Sequence, residues 1–427
     1  MEETKQSKKE LFKNFIWNSI GTGLNSFNSL FFFIIVTRIN GIENAGIYSI
    51  AYATALILYT VGLYSGRLTQ VTDIENKLKD KDYILSRVIS SLFMIVIAFV
   101  YVFIKGYTIF KLTVCILLTI YKATEAFAEI YYGIMQKNDL LYKSGQSLTF
   151  KSLVGLTVFL VVDLFTKNII VSIIASIIVN VLTIIFYDFK VINKLVDKAE
   201  KGTLKNALTI FKNDFFVFAN SFAGIYVLNA PKYALDTYCD DKTQAMFGYI
   251  IMPATVITLF AQFVFMPFLN DLKKLYAEKN MKKFGQVSRK IKYAVVAFGI
   301  FAVAAGYFIG PEVLRIIYGV DELLNYRVQL AIILGAYICY GISYTNLILL
   351  TTVRKTFIQF VIYVITMCIA FIGSNMFVKA YGIDGAVRSC IFTLGSQFIM
   401  YSVTTNVILH KIRKKFEQEK EEVTVKE

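Results

Sequence analysis

The chain has 427 residues, 56% of them hydrophobic and 15% aromatic, with four prolines and a formal charge of +15. Its apolar residues fall into runs of roughly 20 separated by short lysine-rich pieces, the length that crosses a ~30 Å hydrocarbon core as a helix. The pattern leaves no stretch for a soluble domain, and the basic excess lies where the chain meets anionic lipid, so no nucleic-acid partner is expected.

Twelve runs predict an all-α polytopic membrane protein: 11–36, 42–65, 83–104, 109–135, 147–165, 169–189, 215–232, 245–269, 291–311, 328–352, 357–378 and 383–409. The first has the basic flank of a signal peptide, but it is long and 37–43 offers no small-residue cleavage site. It predicts a retained first helix. Along it Asn14, Asn18, Gly21, Asn25 and Asn28 recur at helical spacing, a stripe of amides that lipid cannot satisfy. Such a stripe is either glue between helices or a cavity wall. Arg38 and Arg67 stand at helix ends, where snorkelling to headgroups anchors a fold at little cost.

The fourth run holds Lys122, Glu125 and Glu129, and Gln136 continues their face. A charge at the bilayer centre costs about 2.5–3.5 kcal/mol even on lenient scales, so these groups need partners or water. Two readings stand: an internal ion-paired strut, or a cavity wall on which one carboxylate carries a coupling proton or sodium ion.

The basic connector 188–213 separates six runs from six, and Phe12-Lys13-Asn14-Phe15 recurs as Phe211-Lys212-Asn213-Asp214-Phe215. The expected organisation is a six-helix lobe over 1–200, a second over 201–410 and a charged cytoplasmic tail over 411–427. Two such units inserted alike are a common plan for secondary transporters that rock about a midplane site. Pro231 and Lys232 interrupt the seventh run, where Asn220, Ser221 and Gly224 would face the first-helix stripe across the pseudo-axis. Pro253 predicts a bend in the eighth. Near Arg388, one turn into the twelfth run, Asp384 is the expected partner. That arginine either forks a pyrophosphate or caps the helix near headgroups.

Most of the 45 lysines and arginines fall in, or at the edges of, alternate loops on the N-terminal side, with Lys122 and Arg388 counted as helix residues instead. The asymmetry places both termini in the cytoplasm and the chain in the cytoplasmic (inner) membrane. Cys115, Cys239, Cys339, Cys368 and Cys390 are scattered without metal or disulfide spacing and read as packing residues. There is no phosphate-binding Gly-x-x-x-x-Gly-Lys loop, and His410 has no acid or nucleophile beside it. Asp236, Asp240 and Asp241 form an acidic cluster that reads as a solvated loop rather than a metal site. No enzyme activity, cofactor or metal is expected.

Beyond the general class, 36–48, Val-Thr-Arg-Ile-Asn-Gly-Ile-Glu-Asn-Ala-Gly-Ile-Tyr, resembles the helix 1 to helix 2 hairpin of polysaccharide flippases in the multidrug, oligosaccharidyl-lipid and polysaccharide exporter superfamily. There an Arg, a Gly and a Gly-x-Tyr mark the turn. Gly62-Leu63 followed by Arg67, then Tyr132-Gly133-Ile134-Met135-Gln136, continue the resemblance in order. It implies two six-helix lobes around a central cavity, working by alternating access. Its substrate would be an undecaprenyl-diphosphate-linked oligosaccharide repeat unit, moved to the outer leaflet for O-antigen, capsule or a similar polymer. The other partners it brings are membrane lipid, H+ or Na+ as coupling ion, and polysaccharide polymerase machinery, with a monomer sufficient for transport. Under that reading Lys122 meets substrate phosphate, and Asn25, Asn28 and Asn220 offer hydrogen bonds to sugar hydroxyls. The rival within the superfamily is an ion-coupled drug antiporter, and a non-transporting scaffold is the rival outside it.

Overall fold

A computed structural model describes residues 2–64, 66–73, 78–196 and 201–424. The helices are α1 Glu2–Asn40, α2 Ile42–Leu63, α3 Gly66–Thr72, α4 Asp80–Lys105, α5 Ile109–Lys137, α6 Leu141–Thr166, α7 Ile169–Thr183 and α8 Phe189–Ile192. They continue as α9 Leu204–Tyr238, α10 Asp241–Ile251, α11 Ala254–Phe265, α12 Leu269–Ala277, α13 Met281–Phe308, α14 Gly310–Tyr318, α15 Arg327–Thr352 and α16 Thr356–Thr424. Among the described residues nine helices are long and apolar enough to cross a membrane. The chain is a multi-pass membrane protein.

Two helices that coincide with expected runs fall outside those nine. One is α5, with Lys122, Glu125 and Glu129 in its middle, and the other is α9, which carries Lys212, Asp214, Pro231 and Lys232. A further pair of runs is counted as one because the two helical arms of α16 meet directly at Gly382, where φ 55 and ψ −127 break the helix. Only glycine adopts that conformation without strain. The arms on either side fold back on each other: Ser374 and Ser389 share a hydrogen bond of 2.6 Å, and Phe377 meets Phe392 edge to face.

The chain divides into two compact units, 1–225 and 226–427. In the first unit α5 is the central element, packed by α2, α4 and α7, which turns its charged face inward. Against α6, α1 packs backbone to backbone. A Cβ on Gly21 would lie 2.5 Å from the Gly145 carbonyl oxygen, and one on Gly145 would strike the Trp17 carbonyl. Close approach through small residues is how membrane helices gain packing without a hydrophobic drive. The turn from α1 to α2 is the single residue Gly41, at φ 90.

In the second unit α15 is central, against α11, α13 and α16. Pro253 breaks the eighth run between α10 and α11, as its missing N–H requires. Pro267 lies in a 3-10 turn and Pro311 at the start of α14. Beyond the last apolar run, the charged segment continues α16 as helix to Thr424. Ile412 and Phe416 pack beside Leu272 and Phe284, and Lys279 pairs with Glu419.

Candidate functional site

The charged face of α5 lies inside the first unit, and its groups are paired. The Lys122 ammonium is 2.7 Å from Glu125 Oε2, both side chains nearly buried. Three rings surround it, with Tyr52, Tyr59 and Tyr121 centroids 5.1–5.6 Å away. The aromatic faces and the carboxylate together compensate the cation. Two turns on, Glu129 does not pair with Lys122. It takes Arg67 Nη1 at 2.8 Å, while Arg67 Nε and Nη2 donate to Gln136 Oε1 at 3.3 and 3.1 Å. Arg67 therefore does not anchor the fold to headgroups as expected. Tyr64 ends α2 in the left-handed conformation, and the short α3 that follows aims Arg67 back onto α5.

Two basic residues near the starts of the third and fifth runs are buried deep inside the unit. Arg87, on α4, is 2% exposed; its Nη1 donates to the Gly62 carbonyl at 2.6 Å, which Ser90 also contacts at 2.7 Å. Gly66 leaves room for it, since a Cβ there would sit 2.8 Å from Arg87 Nη2. Arg67, Arg87, Glu129 and Gln136 line one cleft of about 340 Å³ with Leu63 and Val71. Lys151, on α6, donates to Asp188 Oδ2 at 2.7 Å and to Tyr132 Oη at 2.9 Å, and Tyr132 exchanges a hydrogen bond with Ser147. Asp188 was taken as the first connector residue. It closes a π-helical turn, Ile184–Asp188, that ends α7, and a π turn shifts the helical register so that a residue bound for the surface can point inward. The sequence signal for it was a lone acid within an apolar run, one helix away from a lone lysine in another.

Asn25 and Asn28 line a small cavity with Glu125, Glu129, Tyr132 and Lys151, so the far end of the first-helix stripe does meet the charged face of α5. The near end is glue: Asn14 Nδ2 donates to the Asp139 carbonyl, and its Oδ1 accepts from Tyr142 N–H at 2.8 Å. On α9, Asn220 keeps a buried Oδ1 without a hydrogen-bond partner. At the opposite end of α1, Asn40 Nδ2 donates to the fully buried Asp163 at 3.2 Å, and Ser172 donates to the same oxygen at 3.1 Å. Asp163 Oδ2 and Asn40 Oδ1 are both buried without a hydrogen-bond partner.

Arg388 is exposed and lies over the Tyr381 ring at 4.2 Å; its expected partner Asp384 accepts from Gln329 instead. Arg38 is exposed in the last turn of α1. Asp240 is the N-cap of α10, accepting from Thr243 N–H at 2.8 Å, and no cluster of metal-ligating side chains occurs among the described residues.

No protein-family model matches the chain. It is 24% identical over 395 residues to the capsular polysaccharide biosynthesis protein CapF of Staphylococcus aureus, spanning 91% of this chain and 97% of that one. Its fold matches an inward-facing multidrug resistance MATE family transporter of the MOP superfamily (TM-score 0.68, 10% identity, 94% of this chain and 99% of that one). It also matches a MOP superfamily transporter from Pyrococcus furiosus described as having a binding pocket of reverse polarity (TM-score 0.60, 13% identity, 95% and 96% of the two chains). The fold is that of the exporter superfamily which the hairpin at 36–48 resembles.

Proposed function

We propose that this chain, built on the exporter fold, carries an undecaprenyl-diphosphate-linked oligosaccharide repeat unit from the inner to the outer leaflet by alternating access, for surface polysaccharide assembly. The observation that carries the reading is the end-to-end similarity to a protein of capsular polysaccharide biosynthesis. The cleft supplies fitting chemistry. Arg87 is a buried guanidinium with no carboxylate bonded to it, and Arg67 is held beside it by Glu129 and Gln136. Planar forks of this kind suit a diphosphate. Lys122, caged by three rings and Glu125, is a strut in this reading rather than the phosphate ligand. Asn25 and Asn28 remain the candidates for sugar hydroxyls. A coupling H+ or Na+ fits Asp163 better than Glu125 or Glu129, because each glutamate already holds a cation and Asp163 has only two neutral donors.

A drug antiporter would need a carboxylate left open for a cationic substrate. In the first unit the two expected ones are engaged, and the open one, Asp163, is the coupling-ion candidate in this reading. Deletion of the gene in its own host tests the proposal. Surface polysaccharide should be lost while the lipid-linked repeat unit accumulates inside the cell. An unaltered polymer, or hypersensitivity to cationic drugs as the only phenotype, overturns it.

A further inference from the structure

On the first unit, away from the charged face of α5, a groove of about 810 Å³ runs between α1, α6 and α7. Its walls are apolar, and Phe150, Leu153, Leu182 and Phe186 are each about half exposed along it. At one end it meets a second cleft of about 240 Å³, with Phe186 and Tyr187 as the shared wall. Lys143, Lys190 and Lys194 line that cleft, and none has an acidic partner among the described residues. Lys190 lies over the Phe186 ring at 5.8 Å, and Tyr187 donates to Gln146 at 2.8 Å where groove and cleft join. The charge asymmetry of the loops puts this end at the cytoplasmic surface.

We propose that the groove and cleft together hold one anionic glycerophospholipid of the inner leaflet, its acyl chain against α6 and α7 and its phosphate on the three lysines. An apolar channel open to the bilayer accepts a chain, and three unpaired ammonium groups at its mouth select a negative headgroup. Lysines are mobile point charges without the fork of a guanidinium, so they read charge rather than the geometry of a particular diphosphate. That separates this site from the Arg67 and Arg87 cleft, and makes a bulk phospholipid the occupant rather than the carrier lipid. The site needs no transported substrate.

The chain carries its own reporter, because its single tryptophan, Trp17, lines the groove. The full-length protein is reconstituted in phosphatidylcholine vesicles containing small, equal mole fractions of either brominated-chain phosphatidylglycerol or brominated-chain phosphatidylcholine. Trp17 fluorescence should be quenched several-fold more efficiently by the phosphatidylglycerol at low mole fraction. In the variant K143Q/K190Q/K194Q that excess should disappear while quenching by the phosphatidylcholine is unchanged, which also shows that the groove is intact. Equal quenching by the two lipids in the unaltered protein overturns the proposal, as does an excess that survives the triple substitution. Relief of quenching by equimolar unbrominated polyprenyl diphosphate overturns it too, by assigning the groove to the carrier lipid.

Discussion

The buried pair between Lys151 and Asp188 gives the sharpest prediction about what holds the first unit together. The side chains are 6% and 0% exposed and 2.7 Å apart. At an effective dielectric of 20 their attraction is about 6 kcal/mol. Stripping water from each ion costs several kcal/mol, so the pair as a whole contributes little net stability. Removing one partner is different, because it leaves a buried charge with nothing opposite. Lys151→Met and Asp188→Leu should each destabilise by about 3–5 kcal/mol, and the double substitution should cost less than either single one. Tyr132 would keep Ser147 as a hydrogen-bond partner in every variant. The assay is thermal unfolding of purified protein in detergent, comparing midpoints because such transitions are often irreversible. Additive losses in the double variant would refute the reasoning, as would a single variant that unfolds at the unaltered temperature.

The α1 and α6 contact predicts that Gly145→Leu, whose side chain must displace the Trp17 backbone, costs at least the ~1–3 kcal/mol typical of overpacking. Gly155→Ala on the same helix, with nothing within 4 Å of its Cβ, should leave the unfolding midpoint unchanged. Asp240→Ala removes the cap of α10 and should cost about 1 kcal/mol, with a chelator in the external medium having no effect on transport. If the cleft binds diphosphate, Arg87→Lys should keep the fold yet lower polymer export in a complemented deletion strain, since an ammonium cannot reproduce the fork. Glu125→Gln and Glu129→Gln should leave the pH dependence of export unchanged, and Asp163→Asn should abolish it, a difference that export measured over a pH series detects.

How far the fold was legible follows from what a run of apolar residues encodes. Length and spacing locate helices in a membrane because every crossing must bury its backbone polar groups, so the runs and the helices coincide along nearly the whole chain. The face shared by Lys122, Glu125 and Glu129 was legible for the same reason, as helical spacing settles which residues lie together. Which of them pair was not. Spacing put Lys122, Glu125 and Glu129 on one face, but Glu129 belongs to Arg67, which comes from another helix after a left-handed turn at Tyr64. Arg87 and Lys151 were missed because each lies near the start of an apolar run, where a basic residue reads as interfacial, whereas α4 and α6 begin one to two turns earlier and carry both inward. Asp188 was missed because only the π turn brings it inward. The conformation of 411–424 was equally hidden, since a charged stretch past the last apolar run has the same composition whether or not it continues the helix.

The residues that carry the family resemblance acquire a common cause in the structure. Spread over two helix ends, Gly62, Leu63, Arg67, Gly133 and Gln136 have no evident connection in sequence. In space they surround one group of atoms. Gly62 offers its carbonyl to Arg87 and lacks a side chain because Met94 and Ala126 press on it. Gly133 makes room for Gln70 and for the Arg67 stem, and Gln136 fixes the end of that side chain. Tyr132 lies between Arg67 of the cleft and the paired Lys151 outside it, 5.9 Å and 5.2 Å from its ring. Each of these choices holds two positive charges beside a cleft without neutralising both. A chain concerned only with stability would have used apolar residues of the same volume, because breaking even against desolvation is the best that a buried ion pair usually does. Arg87, buried with a carbonyl and, among the described residues, no carboxylate bonded to it, is the costliest part of the arrangement, and the proposed meeting of the cleft with an anion rests on it.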